Sequence, residues 1–592
     1  LALVIGLCML SPHYQMTYYL LVAAGLWTLW LVFLDPDRPP GIRWPVALGS
    51  ALAAVLLGVA VSAIQVLPFL SYIPFSPRGE GGPSGGWEYA VAFSLPPEEI
   101  VSTVLPEFNG ILQHYWGRNF FKLHTEYLGA IAVVLAVLGV ADRARRPVVK
   151  AFGGIAILFL LVSLGGHTPF YRLWYAAMPM MDKVRAPGMA FMLVALPVAV
   201  FAGFGADRLV RRDLSTRALL VPLGVLAGLA LLGVAGVLES IALALASPEQ
   251  AARVVENAGP LRIGALRLLA VVVLGGAVMW GVLKGKLREG VATASLAAVV
   301  VADPWSVDRH FFEYREPAAV IFADDAITSR IRKEANPFRV LDVGVYQGSY
   351  LMAHRIMTML GYHGFEIRFY DELMGGKNQW RNAGSPNLHD LLAVRYLLLP
   401  QMQEVPGFHH VLGPVTTTPG SVGVLLERDT VPAYVRVVPG AAKLPEEQVV
   451  ATVVDPRFPL HSVVVLPDSA SVTPEPLRPQ GADSTKVRPT LAEWAPGRMR
   501  VTLQGTEERP VYLVISENWY PDWHARVDGR EVPVHRGDHT LLTVVIPSGA
   551  REVSLTFASA RYRLGRWVTL LAVLAVVGLG GWSLWRERTA HV

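Results

Sequence analysis

Apolar runs of membrane-spanning length recur along this chain, and inside a bilayer each of them has to be a helix. With no water to satisfy an open N–H or C=O, only helices and closed barrels cross. The clear runs lie at 15–34, 46–67, 127–140, 149–165, 188–205, 218–238, 263–283 and 564–585. Their lengths approach the ~20 residues a helix needs to cross the hydrocarbon core. A shorter run lies at 290–302, and 1–10 reads as the end of another. Composition agrees: 53% of the 592 residues are hydrophobic and 17% are charged, where a soluble domain has roughly a quarter charged.

The loops set the orientation. Basic residues cluster at Arg143, Arg145, Arg146 and Lys150, at Arg208, Arg211, Arg212 and Arg217, at Lys284, Lys286 and Arg288, and at Arg586 and Arg588. These are alternate loops, so all fall on the cytoplasmic side. Segments 11–14, 70–125, 166–187, 239–262 and 303–563 then face outward. The parity requires 290–302 to cross, since otherwise Arg586 and Arg588 would lie outside. The net charge of +5 fits basic cytoplasmic loops. No dense Lys/Arg patch marks a nucleic-acid surface. The span interiors hold essentially no ionisable residues, whereas ion-coupled transporters place such groups at mid-membrane. Any chemistry is therefore expected at the outer face. The single cysteine, Cys8, excludes an intrachain disulfide. The chain opens at Leu1 in mid-run, and 1–10 reads as the remnant of a span in an N-terminally truncated protein, not as a signal peptide.

The expected fold is a polytopic α-helical membrane protein with a C-terminal extracytoplasmic α/β plus β-sandwich region and a final transmembrane helix. Residues 1–302 form the multi-span part, with a long outer loop at 70–125. An α/β module follows at 303–430, where VLDVG at 340–344 reads as a buried strand and NLHDLLAVRYLLL at 387–399 as a helix running into a strand. Apolar/polar alternation predicts a β-sandwich at 431–563. Its clearest mark is the pair Asp528-Gly529 between alternating flanks, the signature of a type I′ hairpin. Residues 564–592 are the last span and a cytoplasmic tail.

The outer loops carry the candidate chemistry. Loop 70–125 is broken by Pro and Gly and holds aromatic, acidic and basic residues together. Aromatic faces suit sugar rings, carboxylates suit general-base work, and Arg or Lys suits phosphate. Glu107 and Glu126 are the candidate catalytic carboxylates. His13, Gln15, Trp116, Arg118, His124 and Arg185 are the candidate substrate-binding residues, with Arg118 and Arg185 placed for phosphate. The plainer alternatives are a solvated loop with an interfacial aromatic belt, a helix-cap role for Ser11 and Pro12, and headgroup anchoring by Arg185. No metal-ligand, Walker or G-x-S-x-G pattern occurs in a supporting context. No cofactor is implied, although a divalent metal is compatible with the chemistry.

The segments SPHYQMTYY (11–19), VLPFLSYIPFSPRG (66–79), PEEIVSTVLPEFNG (97–110), HTEYLGA (124–130), GHTPFY (166–171), AVRYLLL (393–399) and SENWYPDWHARVDG (516–529) occur in that order along nearly the whole chain. In them the chain resembles the YfhO-like bacterial membrane proteins, which look like members of the C-type glycosyltransferase superfamily. The resemblance implies an enzyme that moves a sugar from a polyprenyl-phosphate carrier to an extracytoplasmic cell-envelope acceptor, such as teichoic acid or another wall polymer. It implies a multi-pass protein of the bacterial plasma membrane. It also implies a catalytic carboxylate in the first outer loop, which precedes Leu1 here, so that role passes to no numbered residue. Two other readings are a non-enzymatic envelope scaffold that binds glycan, and a transporter of lipid-linked sugars.

Overall fold

The structure, a computed structural model, describes residues 1–590 apart from 12, 39–40, 42, 80–83, 120–121, 336, 362 and 475–484. It divides into two compact units. One comprises Leu1–Val66, Ser84–Tyr314 and Trp567–Val592; the other comprises Leu67–Pro83 and Arg315–Arg566.

The first unit is helical. Its elements are α1 (Ala2–Leu10), α2 (Tyr14–Phe33), α3 (Trp44–Val61), α4 (Ala63–Tyr72, which it shares as far as Val66), α5 (Gly86–Val91), α6 (Ala130–Val140), α7 (Arg146–Ser163), α8 (Phe170–Ala177), α9 (Met192–Val210), α10 (Thr216–Val234), α11 (Val237–Leu245), α12 (Ala251–Glu256), α13 (Ala258–Leu283) and α14 (Glu289–Asp308). From Trp567 it also holds the last helix, Ala560–Ala590. Among the described residues, eight helices are long and apolar enough to cross a membrane. Their starts follow ordinary rules. Pro45 and Pro147 sit in the first turns of α3 and α7, where a missing N–H leaves nothing unpaired. The Ser215 hydroxyl accepts the Ala218 N–H at 3.1 Å to cap α10.

Three expectations change here. The run at 127–140 shortens to α6, an 11-residue apolar helix that the chain enters from irregular backbone, so the helix alone is shorter than the ~20 residues of a straight crossing. Gly129, at φ 88°, turns the chain before it, and the Asp303 carboxylate accepts the Ala130 N–H at 2.7 Å. Secondly, Asp303 does not open a soluble module. It lies inside α14, its side chain 1% exposed, and the candidate span runs Gly290–Phe311, so the unit ends at Tyr314. Thirdly, Ser11 closes α1 and His13 precedes α2, so Ser11 is not an N-cap; Pro12 lies outside the described residues. Helices α6 and α9 meet at Gly139 and Gly205. A Cβ on either would lie 1.9 Å from a carbonyl oxygen of the other helix, an approach only glycine permits.

The second unit contains the strands β1 (Arg339–Asp342), β2 (Val394–Leu399), β3 (Phe408–Thr416), β4 (Val422–Arg428), β5 (Val435–Val438), β6 (Gly440–Leu444), β7 (Val463–Pro467), β8 (Arg488–Ala495), β9 (Arg498–Gln504), β10 (Val511–Asn518), β11 (Trp523–Val527), β12 (Arg530–Val532), β13 (Val534–Gly537), β14 (Leu541–Ile546) and β15 (Glu552–Phe557). They form sheets ordered β1-β2-β4-β3, β13-β14-β10-β5 and β12-β11-β15-β9-β8, with β6 and β7 paired in parallel. Strand β1 is parallel to β2, and the helix Pro386–Leu391 leads into β2, as the α/β pattern predicts. The β11–β12 hairpin turns at Asp528 and Gly529, with φ 47° and 80°, the two positive angles of a type I′ turn.

The four- and five-stranded sheets of 435–557 face one another across a core of Val501, Leu513, Leu542 and Leu555. Residue 430 is nonetheless no divide. Strand β10 reads VYLVISEN and is apolar on both faces. Val511, Leu513 and Ile515 enter the sandwich core, while Tyr512 and Val514 pack with Leu397, Leu426 and Leu391 of the α/β part. A strand buried on both sides reads as a continuous apolar run instead of an alternation.

Candidate functional site

The described residues of 92–128, in the first unit, fold without regular long helices. Pro96, Pro97 and Pro106 fix φ and break the segment into 3₁₀ turns at Pro97–Thr103, Pro106–Phe108 and Leu112–His114. This brings polar side chains inward. The Ser102 hydroxyl donates to Asn109 Oδ1 at 3.0 Å, and the Tyr115 hydroxyl donates to Glu99 Oε1. Lys122 uses all three of its donors: Nζ reaches Glu99 Oε2 at 2.6 Å and the Glu126 oxygens at 2.7 and 2.8 Å. The side chains of Glu99, Glu126 and Lys122 are 1%, 4% and 6% exposed. His124 closes the chain, with Nε2 3.3 Å from Glu126 Oε1 and its own side chain 62% exposed.

The two carboxylates are shifted in opposite directions. Burial dominates at Glu99 and raises its pKa in spite of Lys122 and Tyr115. Burial also acts on Glu126, but His124 and Lys122 outweigh it and hold the carboxyl below its ordinary value. The Tyr115 phenol is pushed well up by burial and by Glu99, so it acts as a neutral donor.

This relay opens on a cavity of about 280 Å³ lined by Lys122, His124, Glu126, Asn119 and Arg185, with Phe93, Leu95 and Met189 as its apolar wall. Among the described residues, no carboxylate lies within ion-pairing distance of the Arg185 guanidinium, which lies 5.3 Å from the Phe93 ring centre and 5.5 Å from that of Tyr89. Gln15 fixes the backbone here, its amide donating to Arg185 O at 2.6 Å and Ala186 O at 3.4 Å. Phe93 and Ala186, both on the cavity wall, hold φ of 59°. Non-glycine residues enter this left-handed region rarely and at a cost of ~1–3 kcal/mol, and such residues gather at functional sites. The Ala186 N–H bonds to Ala92 O at 2.8 Å and ties the two strained segments together.

The structure thus brings His124, Glu126 and Arg185 to one cavity, with Gln15 behind it. The other candidates stand elsewhere. Trp116 is 1% exposed and donates its indole N–H to Phe108 O at 2.6 Å, so it offers no face to a sugar. Arg118 pairs with Glu98 at 2.8 Å and does not line the cavity. His13 is exposed at the start of α2, also away from the lining. Glu107 pairs with Arg267 at 3.2 Å, and Arg267 reaches Asp303 at 3.2 Å. The Tyr127 hydroxyl donates to Asp303 at 2.5 Å. A Cβ at Gly264 would stand 2.3 Å from the Glu107 carboxyl carbon, so α13 closes directly over that group. Glu107 is thus held in an ion pair and does not line the cavity.

The sequence shows Lys122 and Tyr115 only as polar and aromatic residues of the loop, and nothing in it singles out Glu99. The spacing of Lys122 and Glu126 was visible, but Glu99 lies 23 residues from Lys122 and no periodic element links them. Among the described residues, no group of three or more His, Cys, Asp or Glu side chains could hold a metal ion.

The sequence matches no family model and no curated protein. Among solved structures, it is similar to the cryo-electron microscopy structure of the arabinofuranosyltransferase AftD from mycobacteria. The identity is 10% and the TM-score 0.37, and the match covers 92% of this chain and 43% of that one. The chain therefore spans under half the length of that protein. Its own helices and sheets define a polytopic α-helical membrane protein with a sheet-rich C-terminal region and a final apolar helix.

Proposed function

We propose that the chain is a membrane glycosyltransferase that moves a sugar from a polyprenyl-phosphate carrier to a cell-envelope acceptor such as a wall polymer. One observation carries the reading: a buried, ionised carboxylate with an exposed imidazole faces the same cavity as a guanidinium that pairs with no carboxylate among the described residues. The first pair suits an acceptor hydroxyl, and the second suits the phosphate that departs from the anomeric carbon. The resemblance to the YfhO-like proteins agrees with this. In the same proposal the cavity and the unit Arg315–Arg566 lie outside the cytoplasm of a bacterial plasma membrane, an orientation supported by the alternate basic loops.

The test uses membranes containing the protein, supplied with radiolabelled polyprenyl-phosphate sugars. Label should pass from lipid to polymer. Arg185→Ala should lower transfer by roughly 10²–10³, the usual loss when one stabiliser of developing charge is removed, with membrane insertion intact. Wild-type turnover in that variant rejects the phosphate role, and no transfer from any donor rejects the enzyme.

A further inference from the structure

A carboxylate that is to act as a general base has to reach the acceptor hydroxyl. Glu126 is poorly placed for that. Its oxygens accept from Lys122 at 2.7 and 2.8 Å, its side chain is 4% exposed, and its carboxyl is held below its ordinary value by His124 and Lys122 acting against burial. Glu126 and His124 both line the cavity, but only His124, at 62%, is largely exposed. An ionised carboxylate can only accept, so the His124 nitrogen facing it, Nε2, carries the hydrogen. In the neutral ring that leaves Nδ1 as the acceptor. A contact of 3.3 Å is long for a hydrogen bond, and catalytic contacts commonly tighten only around substrate.

We infer that His124 is the general base of this site, in the role that the resemblance gives to a first-loop carboxylate, and that Glu126 is its positioning residue. The inference rests on the transfer reaction proposed above and divides the labour within it. The acceptor O–H proton passes to His124 Nδ1 as the acceptor oxygen bonds to the anomeric carbon. The bond from that carbon to the phosphate oxygen breaks, and its electron pair stays on the phosphate beside Arg185. The imidazolium then returns its proton to water. Lys122 keeps Glu126 anionic, and Glu99 with Tyr115 behind it holds Lys122 in place. The charged groups that line the cavity with His124 are Lys122, Glu126 and Arg185. Two roles in this scheme are visible in the burial: the group that must meet substrate is exposed, and the group that only orients it is enclosed.

The experiment measures kcat/KM for sugar transfer against pH in wild type, His124→Ala, His124→Gln and Glu126→Gln, in membranes with matched amounts of inserted protein. Wild type should lose rate on acidification as the imidazole becomes protonated. His124→Ala should fall by about 10²–10⁴, the usual contribution of a positioned base, should lose that acid limb, and should regain rate with added imidazole. The glutamine variant keeps a donor toward Glu126 but cannot take the proton, so it should show the same loss without the limb. Glu126→Gln removes the carboxylate that orients the ring, so its rate should fall while the acid limb, which belongs to His124, remains. Unchanged rate and acid limb in the His124 variants, with transfer still lost in Arg185→Ala, overturn the inference and leave the transferase reading standing. No transfer by wild type overturns both.

Discussion

Lys122 and Arg267 each sit between two carboxylates in the first unit, and the contacts of Lys122 lead to the cavity lined by His124 and Arg185. Around Arg267, the spare acceptors of Asp303 are taken by the Tyr127 hydroxyl and the Ala130 N–H, and Gly264 lets α13 close over Glu107. Around Lys122, the last acceptor faces His124, which is open to solvent. The charge types are the same, two acids and one base. What differs is where the hydrogen-bond chain ends: in backbone and a half-buried phenol in one case, in a titratable ring in the other. A closed network fixes structure, whereas one that ends at a cavity can exchange a proton.

The largest expected effect falls on the closed cluster. Asp303→Ala leaves the Ala130 N–H without its acceptor and Arg267 with one carboxylate. Breaking a buried pair costs about 3–5 kcal/mol, so thermal unfolding in detergent should shift sharply downward. Turnover per folded molecule should stay near wild type, and a specific loss of turnover would erase the distinction between the clusters.

The open cluster should reveal itself through pH. Glu99 is raised above its ordinary 4.5, so its contribution to stability is full below that value and is lost as pH rises through the raised one. Glu126 is lowered, so its contribution is present above the ordinary value and is lost as pH falls through the lowered one. Glu99→Gln should therefore remove the decline in stability on the alkaline side of 4.5 and keep the decline at more acid pH. Denaturation curves collected across that window decide it, and an unchanged profile would show that Glu99 is not the titrating group.

The smallest effect is expected at Arg118, whose side chain is 52% exposed in its pair with Glu98. Exposed pairs contribute about 0.2–1 kcal/mol. Arg118→Ala should leave both stability and transfer close to wild type. A loss of transfer comparable to that of Arg185→Ala would return Arg118 to the phosphate site.

The fold was largely legible because its signals are local. An apolar run of sufficient length dictates a helix, and Asp528-Gly529 dictates a hairpin. The site was legible only as residue types. His124, Glu126 and Arg185 were named for their chemistry, and they do meet at one cavity. Glu107 and Trp116 were named on the same grounds, but what satisfies or buries them cannot be seen in their own segment. Glu107 is paired by Arg267, 160 positions away. Asp303 illustrates the same limit, since a carboxylate at the end of an apolar run looks like the start of a soluble domain unless Tyr127 and Ala130 are known to be waiting for it.

Strand β10 makes the second unit indivisible. Because its alternate side chains belong to different cores, a cut near residue 430 would not release two domains but would strip one face of the sheet bare. The short segment Leu67–Pro83 extends the same constraint: Phe69 and Tyr72 pack on Phe365 and Tyr520, and Phe75 packs on Trp519 and Tyr520. A gene fragment encoding 315–566 alone therefore leaves part of its own domain behind, upstream in the reading frame. In a lineage of such proteins, recombination could exchange this unit only by carrying both stretches of coding sequence together.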